Sequence, residues 1–161
     1  ENVDLDSLGG FRIIAESLVE KIYGVFGKNM LLNVLYQVGS GPGDKISNRL
    51  KEKYGKEKFE IDEAITIILK ELKDFYQVQI REIIKEEDKI KFIIENRCFL
   101  REPIKSRESL QPGKALCRIN KGYFEKAFQN LMGDNIKRVE INFLEDDEEN
   151  DVCIEELNFY L

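Results

Sequence analysis

The chain of 161 residues contains no histidine and no tryptophan, and only three cysteines, three prolines and two methionines. Without histidine there is no Ser-His-Asp or Cys-His site and no histidine-rich metal site. General acid–base work would fall to Glu, Asp, Lys, Tyr or Cys. Three widely spaced cysteines, Cys98, Cys117 and Cys153, do not make a disulfide framework and suit a reducing cytoplasm. There is no apolar run of about 18 residues, so no membrane span is expected. The chain opens on Glu1 with no signal-peptide pattern and no initiator Met, as expected of a trimmed or partial chain.

What is present is charge and apolar surface in globular proportion. Apolar residues make up 42% and charged residues 35%, for a net charge of -6. The apolar fraction excludes a disordered chain. The negative charge argues against nucleic acid as a partner. At this length one domain spanning 1–161 is expected, with enough buried surface for a core and a pocket.

Periodicity divides the chain into elements. Phe11, Ile14, Leu18, Ile22 and Val25 recur at helical spacing over residues 8–27, with Gly27 as terminator. Residues 29–38 are apolar nearly all round, which fits a buried helix or a buried strand. Residues 44–54 are polar and helix-prone, and Gly55 stops them. Asp62 is the expected N-cap of a helix running to about Phe75, with Ile65, Ile68, Leu69 and Leu72 on one side.

The period then changes to two. Tyr76, Val78 and Ile80 alternate with polar residues, as do Ile90, Phe92 and Ile94 farther on, and EEDK between them makes a hairpin turn. Residues 101–113 are expected to be a loop. A helix follows from about Lys114 to Met132, with Cys117, Phe124, Phe128 and Leu131 on one face and Gly133 as its end. Val139, Ile141 and Phe143 share a face in one strand, with Glu140 on the other. Cys153, Leu157, Phe159 and Leu161 share a face in the last strand. The acidic LEDDEEND between these strands is expected to be a solvated turn. The order is α+β: an antiparallel sheet of about four strands packed against helices.

The segment YQVGSGPGDKIS is close to a phosphate loop but fails its requirements. Asp44 separates Gly43 from Lys45, and Pro42 removes a backbone donor. Gly39 and Gly43 are four apart. On a helix they would share a face and let another backbone approach closely.

The cysteines, taken alone, read as small buried hydrophobes. The order of motifs around them says more. The stretch LCRINKGYFEKAFQNLMGDNIKRVEINFLEDDEENDVCIEELNFYL, together with ENRCF and YQVGSGPG, resembles the 4-vinyl reductase domain family, whose members are also described as hydrocarbon-binding proteins. The family is related to small subunits of transport-particle tethering complexes. The resemblance runs from about residue 9 to 161 and is most specific after residue 95.

It implies a ligand-binding domain, usually a homodimer, that acts on a regulatory protein partner. It also implies a structural zinc held by Cys117, Glu140 and Cys153. The family's remaining ligand position falls on Phe143, which cannot bind zinc, leaving Cys98 or an acidic residue of 145–149 as the fourth ligand. The implied ligand is an apolar or aromatic small molecule between helices and sheet. Tyr36, Phe92, Phe99, Tyr123, Phe124 and Phe128 are the candidate lining, and the two tyrosine hydroxyls are the polar anchors. Ordinary core packing is the plain alternative for each of these residues. A non-catalytic tethering module is the alternative function. A tetrapyrrole vinyl reductase would need an electron donor, and the chain has no dinucleotide fingerprint.

Overall fold

The computed structural model describes residues 6–101 and 116–161. The expected loop at 101–113 lies almost wholly outside them. Among the described residues two helices pack against one face of a four-stranded antiparallel sheet, and a longer third helix packs on one of these two. The strands, β1 (Tyr76–Lys85), β2 (Lys89–Cys98), β3 (Arg138–Asp147) and β4 (Val152–Tyr160), lie in the order β1-β2-β4-β3.

Helix α1 (Ser7–Tyr54) is one element where three segments were expected. The Asp6 side chain caps it by accepting from Gly9 N at 2.7 Å. Gly27 does not end the helix but kinks it, at φ 78 and ψ 177, a conformation open to glycine. Gly55, left-handed at φ 60, closes the far end. The segment 29–38 is therefore helix. Pro42 is accommodated on the exposed side.

A line of buried residues runs down this helix: Leu31, Leu35, Gly39, Gly43, Ser47 and Leu50. It meets α3 (Cys117–Met132). At the crossing, a Cβ on Gly39 would lie 2.0 Å from Ile119 O, and one on Gly122 would lie 2.1 Å from Tyr36 O. The glycines that imitate a phosphate loop thus let two helix backbones touch, as the four-residue spacing predicts.

Helix α2 (Ile61–Glu71) starts one residue before Asp62 and ends four residues short of Phe75. Its N-terminus is held by Glu63, whose carboxylate accepts from Glu60 N at 3.1 Å. The hairpin of β1 (Tyr76–Lys85) and β2 (Lys89–Cys98) matches the period-two pattern. Strand β3 (Arg138–Asp147) runs deeper into the acidic stretch than expected, leaving a tight turn at 148–151 before β4 (Val152–Tyr160). In that turn Asp147 accepts from Asn150 N at 3.0 Å, and Asp151 adopts φ 57.

The edge strand β3 is covered by side chains of α3, one turn apart. Gln129 accepts from Val139 N at 3.2 Å and Glu125 from Ile141 N at 3.0 Å. Lys121 donates to Ile141 O at 2.7 Å. Unpaired edge groups invite foreign strands, and here one helix face satisfies them.

Candidate functional site

An aromatic layer lies between α2, α3 and the sheet. Phe124 and Phe128, one turn apart on α3, stack at 6.2 Å. Phe128 meets Phe159 edge-on at 5.3 Å, and Phe159 meets Phe92 at 5.6 Å. Tyr76 closes the series against Phe124 at 4.8 Å. Three of the six expected ligand-lining residues, Phe92, Phe124 and Phe128, come together here. All are buried.

The layer is shut. The apolar gap bounded by Ile65, Leu69, Val78, Phe92, Phe124 and Phe128 amounts to ≈ 10 Å³. A drug-sized guest needs a few hundred cubic ångströms. These rings pack on one another as a core does.

The other three expected residues lie around this layer. Tyr123 touches Tyr76 at 5.9 Å on its rim. Phe99 is half exposed and meets Tyr76 and Phe75 edge-on. Tyr36 is on α1, where its hydroxyl donates to Glu125 at 2.7 Å. Burial, then that hydrogen bond to a carboxylate, pushes the Tyr36 phenol up to about 12. Glu125 also bonds Lys121 at 2.7 Å, so it joins α1, α3 and β3. Tyr36 is an anchor, but of helix to helix.

Two open grooves flank the start of α3. One, of ≈ 380 Å³, lies between Cys117, Lys121, Phe143 and Glu155. The other, of ≈ 610 Å³, lies between Asn29, Asn33, Tyr36 and Glu125. Arg118 and Lys121 border both.

The structure does not gather the expected zinc ligands. Glu140 pairs with Asn158, whereas Cys153 pairs with Asp146. Five positions along β4 separate the two sites, about 17 Å at strand rise. Glu140 instead accepts from the Tyr160 hydroxyl at 3.1 Å. The carboxylate that shares a groove with Cys117 is Glu155. Among the described residues no three His, Cys, Asp or Glu side chains are arranged to hold a metal ion. Cys117, Glu140 and Cys153 therefore do not fit one tetrahedral centre.

Cys153 is engaged by a residue that the sequence reading missed. Arg101, 5% exposed, donates to Cys153 Sγ at 3.0 Å, to Asp146 at 2.7 Å and to Asp151 at 2.8 Å. It pins the end of β2 to the β3–β4 hairpin. Beside it Asn96 donates to buried Glu155 at 2.8 Å, and Tyr76 donates to Asn120 at 2.9 Å. Burial pushes the Cys98 and Cys153 thiols up, which keeps them protonated. One sequence signal marks this cluster: Glu155 interrupts the apolar face of Cys153, Leu157 and Phe159.

Two solved structures share the fold. A trafficking protein particle complex subunit 3 from Naegleria fowleri, covalently bound to palmitic acid, superposes with a TM-score of 0.62 at 16% identity. The match covers 94% of this chain and 95% of that one. The phenol-responsive sensory domain of the transcription activator PoxR, with phenol, superposes with a TM-score of 0.54 at 10% identity. It covers 92% of this chain and 74% of that one. No family model matches the chain, and no curated protein matches it. At these identities the likeness is one of fold. Among the described residues no helix is long and apolar enough to cross a membrane.

Proposed function

We propose that the chain is a non-catalytic domain that binds an apolar or aromatic small molecule, works as a homodimer and passes ligand occupancy to a protein partner. The observation that carries this reading is the wholly apolar seam between α2, α3 and the sheet. It occurs in a fold that in two other proteins accompanies a fatty-acyl or a phenolic guest. In the closed form the seam holds nothing of that size, so a guest enters by displacing α2 from β1 at Leu69 and Val78. The cost of opening is subtracted from affinity, because only the open fraction binds.

The test is calorimetric titration with hexadecanoate and with phenol, beside native mass spectrometry of untreated protein. Saturable binding with a negative heat-capacity change is expected for burial of apolar surface. Phe128→Ala locates the guest. It should cost about 3–5 kcal/mol of stability and tighten binding of a benzene-sized probe, since room is already made. Wild type without an adduct or saturable binding, beside a Phe128→Ala variant that takes up the probe, overturns the ligand reading.

A second reading is a tethering module that needs no ligand. The shut core favours it, as does the apolar surface that α1 leaves exposed. It predicts a protein complex whose stability is indifferent to any apolar additive.

A further inference from the structure

The apolar stripe at the start of α1 does not face the core. Phe11 is 73% exposed, Ile14 61%, Leu18 55% and Val25 69%, and Phe26 beside them is 65% exposed. The face of this arm that packs inward is a different one, carrying Glu16 and Val19. The exposed strip amounts to roughly 600–700 Å² of apolar side chain, at or above the largest patch of an ordinary monomer. It approaches the roughly 800 Å² that each partner contributes to a stable interface.

Small residues border the strip. Gly10, half-buried, and Ser17 and Gly24, exposed, follow one another at seven-residue spacing along one side of it. Among the described residues a Cβ at Gly10 or Gly24 would meet nothing within 4 Å. Mid-helix glycine costs about 0.5–1 kcal/mol relative to alanine. Gly39, Gly43 and Gly122 offset that cost by admitting a neighbouring helix backbone. Gly10 and Gly24 have no such neighbour among the described residues.

We infer that the arms of two copies pack antiparallel about a two-fold axis through Leu18. This names the seam of the homodimer proposed above and requires nothing of its ligand. The register makes the strip complementary to itself. Leu18 meets the partner's Leu18, Ile14 meets the partner's Ile22, and Phe11 meets the partner's Val25. Phe26 falls opposite the partner's Gly10, a large ring against a bare backbone. A parallel in-register pair would instead set Phe11 on Phe11 and glycine on glycine, leaving steric excess beside gaps. A closed two-fold contact uses up the strip and leaves none for further copies.

Charge disfavours a lipid surface as the occupant. The arm carries Glu16 and Glu20 beside Arg12 and Lys21, in a chain of net charge -6, so no basic face attracts an anionic bilayer. The kink at Gly27 ends the strip, because the helix axis changes direction there.

The experiment is light scattering and cysteine cross-linking of the whole chain. In a Cys117→Ser background, which removes the one partly exposed thiol, Leu18→Cys should form a covalent dimer under mild oxidation, and the parent, with Cys98 and Cys153 buried, should not. Phe11→Cys and Val25→Cys should each cross-link poorly alone and readily when mixed. Leu18→Arg should weaken association at least about 100-fold, because two charges meet on the axis, with an unchanged circular dichroism spectrum. A monomeric wild type overturns both the homodimer and its seam. A dimer that survives Leu18→Arg overturns the seam alone. Self-linking of Phe11→Cys as efficient as that of Leu18→Cys overturns the antiparallel register.

Discussion

Three glycines within five residues of α1 should respond to alanine by very different amounts. Gly39 and Gly43 lie under α3, while Gly41 between them meets no other element. At Gly39 the new methyl would sit 2.0 Å from the Ile119 carbonyl oxygen. That is about 1.4 Å short of ordinary contact. The obstacle is helix backbone, not the end of a flexible side chain, so α1 and α3 must part as units. Overpacking costs about 1–3 kcal/mol, and Gly39→Ala belongs at the upper end of that range.

Gly43→Ala, at 2.6 Å from the Tyr123 oxygen, should cost less, about 1–2 kcal/mol. Gly41→Ala should move stability by less than about 1 kcal/mol, because the freedom lost by the unfolded chain is offset by the Pro42 ring against the new Cβ. At about 2–4 °C per kcal/mol, Gly39→Ala should lower Tm by roughly 6–12 °C while Gly41→Ala shifts it by about 4 °C or less. Gly122→Ala jams the same crossing from the other helix, 2.1 Å from the Tyr36 oxygen. Helices already parted by one methyl should admit the second more cheaply. The Gly39→Ala/Gly122→Ala pair should then be less destabilised than the sum by about 1 kcal/mol or more. Urea unfolding with unchanged m values measures all of these. A Gly39→Ala variant as stable as Gly41→Ala would refute the close crossing.

Tyr36 links α1 to Glu125, and its phenol is pushed up to about 12 from the ordinary 10.0. A folded-state pKa above the unfolded one gives stability that is complete below pH 10 and lost as pH rises through about 12. Burial also pushes the Tyr76 and Tyr123 phenols up, so absorbance titration should show a late-ionising group of phenols, and Tyr36→Phe should remove one phenol from it and about 1 kcal/mol of stability. A late group of unchanged amplitude in Tyr36→Phe would show that Tyr36 ionises with the ordinary phenols. Arg101→Met should cost about 1.5–3 kcal/mol, since charged hydrogen bonds to Asp146 and Asp151 are lost while both carboxylates keep access to water. It should also speed reaction of Cys153 with a thiol reagent. Unchanged thiol kinetics would show that the guanidinium does not shield the sulfur.

Strand β2 was legible because alternation and burial agree there, whereas Ile80 of β1 is exposed beside a bulge and β4 is buried along nearly its whole length. Phe92 and Ile94 are buried, and the EEDK turn falls where the hairpin reverses. The first helix was not legible as one element, because glycine reads as a terminator whether it ends a helix, kinks it or admits a neighbour. All three roles occur along α1, at Gly55, Gly27 and Gly39. The polar cluster was invisible for a different reason. Arg101 stands among Arg97, Lys105 and Arg107, and nothing in a run of charges says which one goes inside. The expected zinc set failed on register. Sequence spacing put Glu140 between two cysteines, but pairing in the sheet carries it to the far end of β4 from Cys153.

Periodicity tells which side chains share a face, not what that face meets. Phe124, Phe128 and Leu131 on α3 share a face at the same helical period as Phe11, Ile14, Leu18 and Val25 on α1. The first set is buried to 2% exposure or less, and the second is more than half exposed. Hydrophobic count would assign both to one core. What separates them is the surroundings of the small residues. On the buried crossing each glycine lies against a carbonyl of the opposite helix, whereas on the arm no described residue lies over Gly10 or Gly24. Two glycines that cost helix stability without a contact to compensate are explained once a second backbone lies over them. That is why the oligomeric state of Leu18→Arg bears on the fold as much as on function: if the arm stays uncovered in solution, Gly10→Ala and Gly24→Ala should both stabilise the chain. If the arms pair, each substitution should weaken the dimer while strengthening the isolated helix.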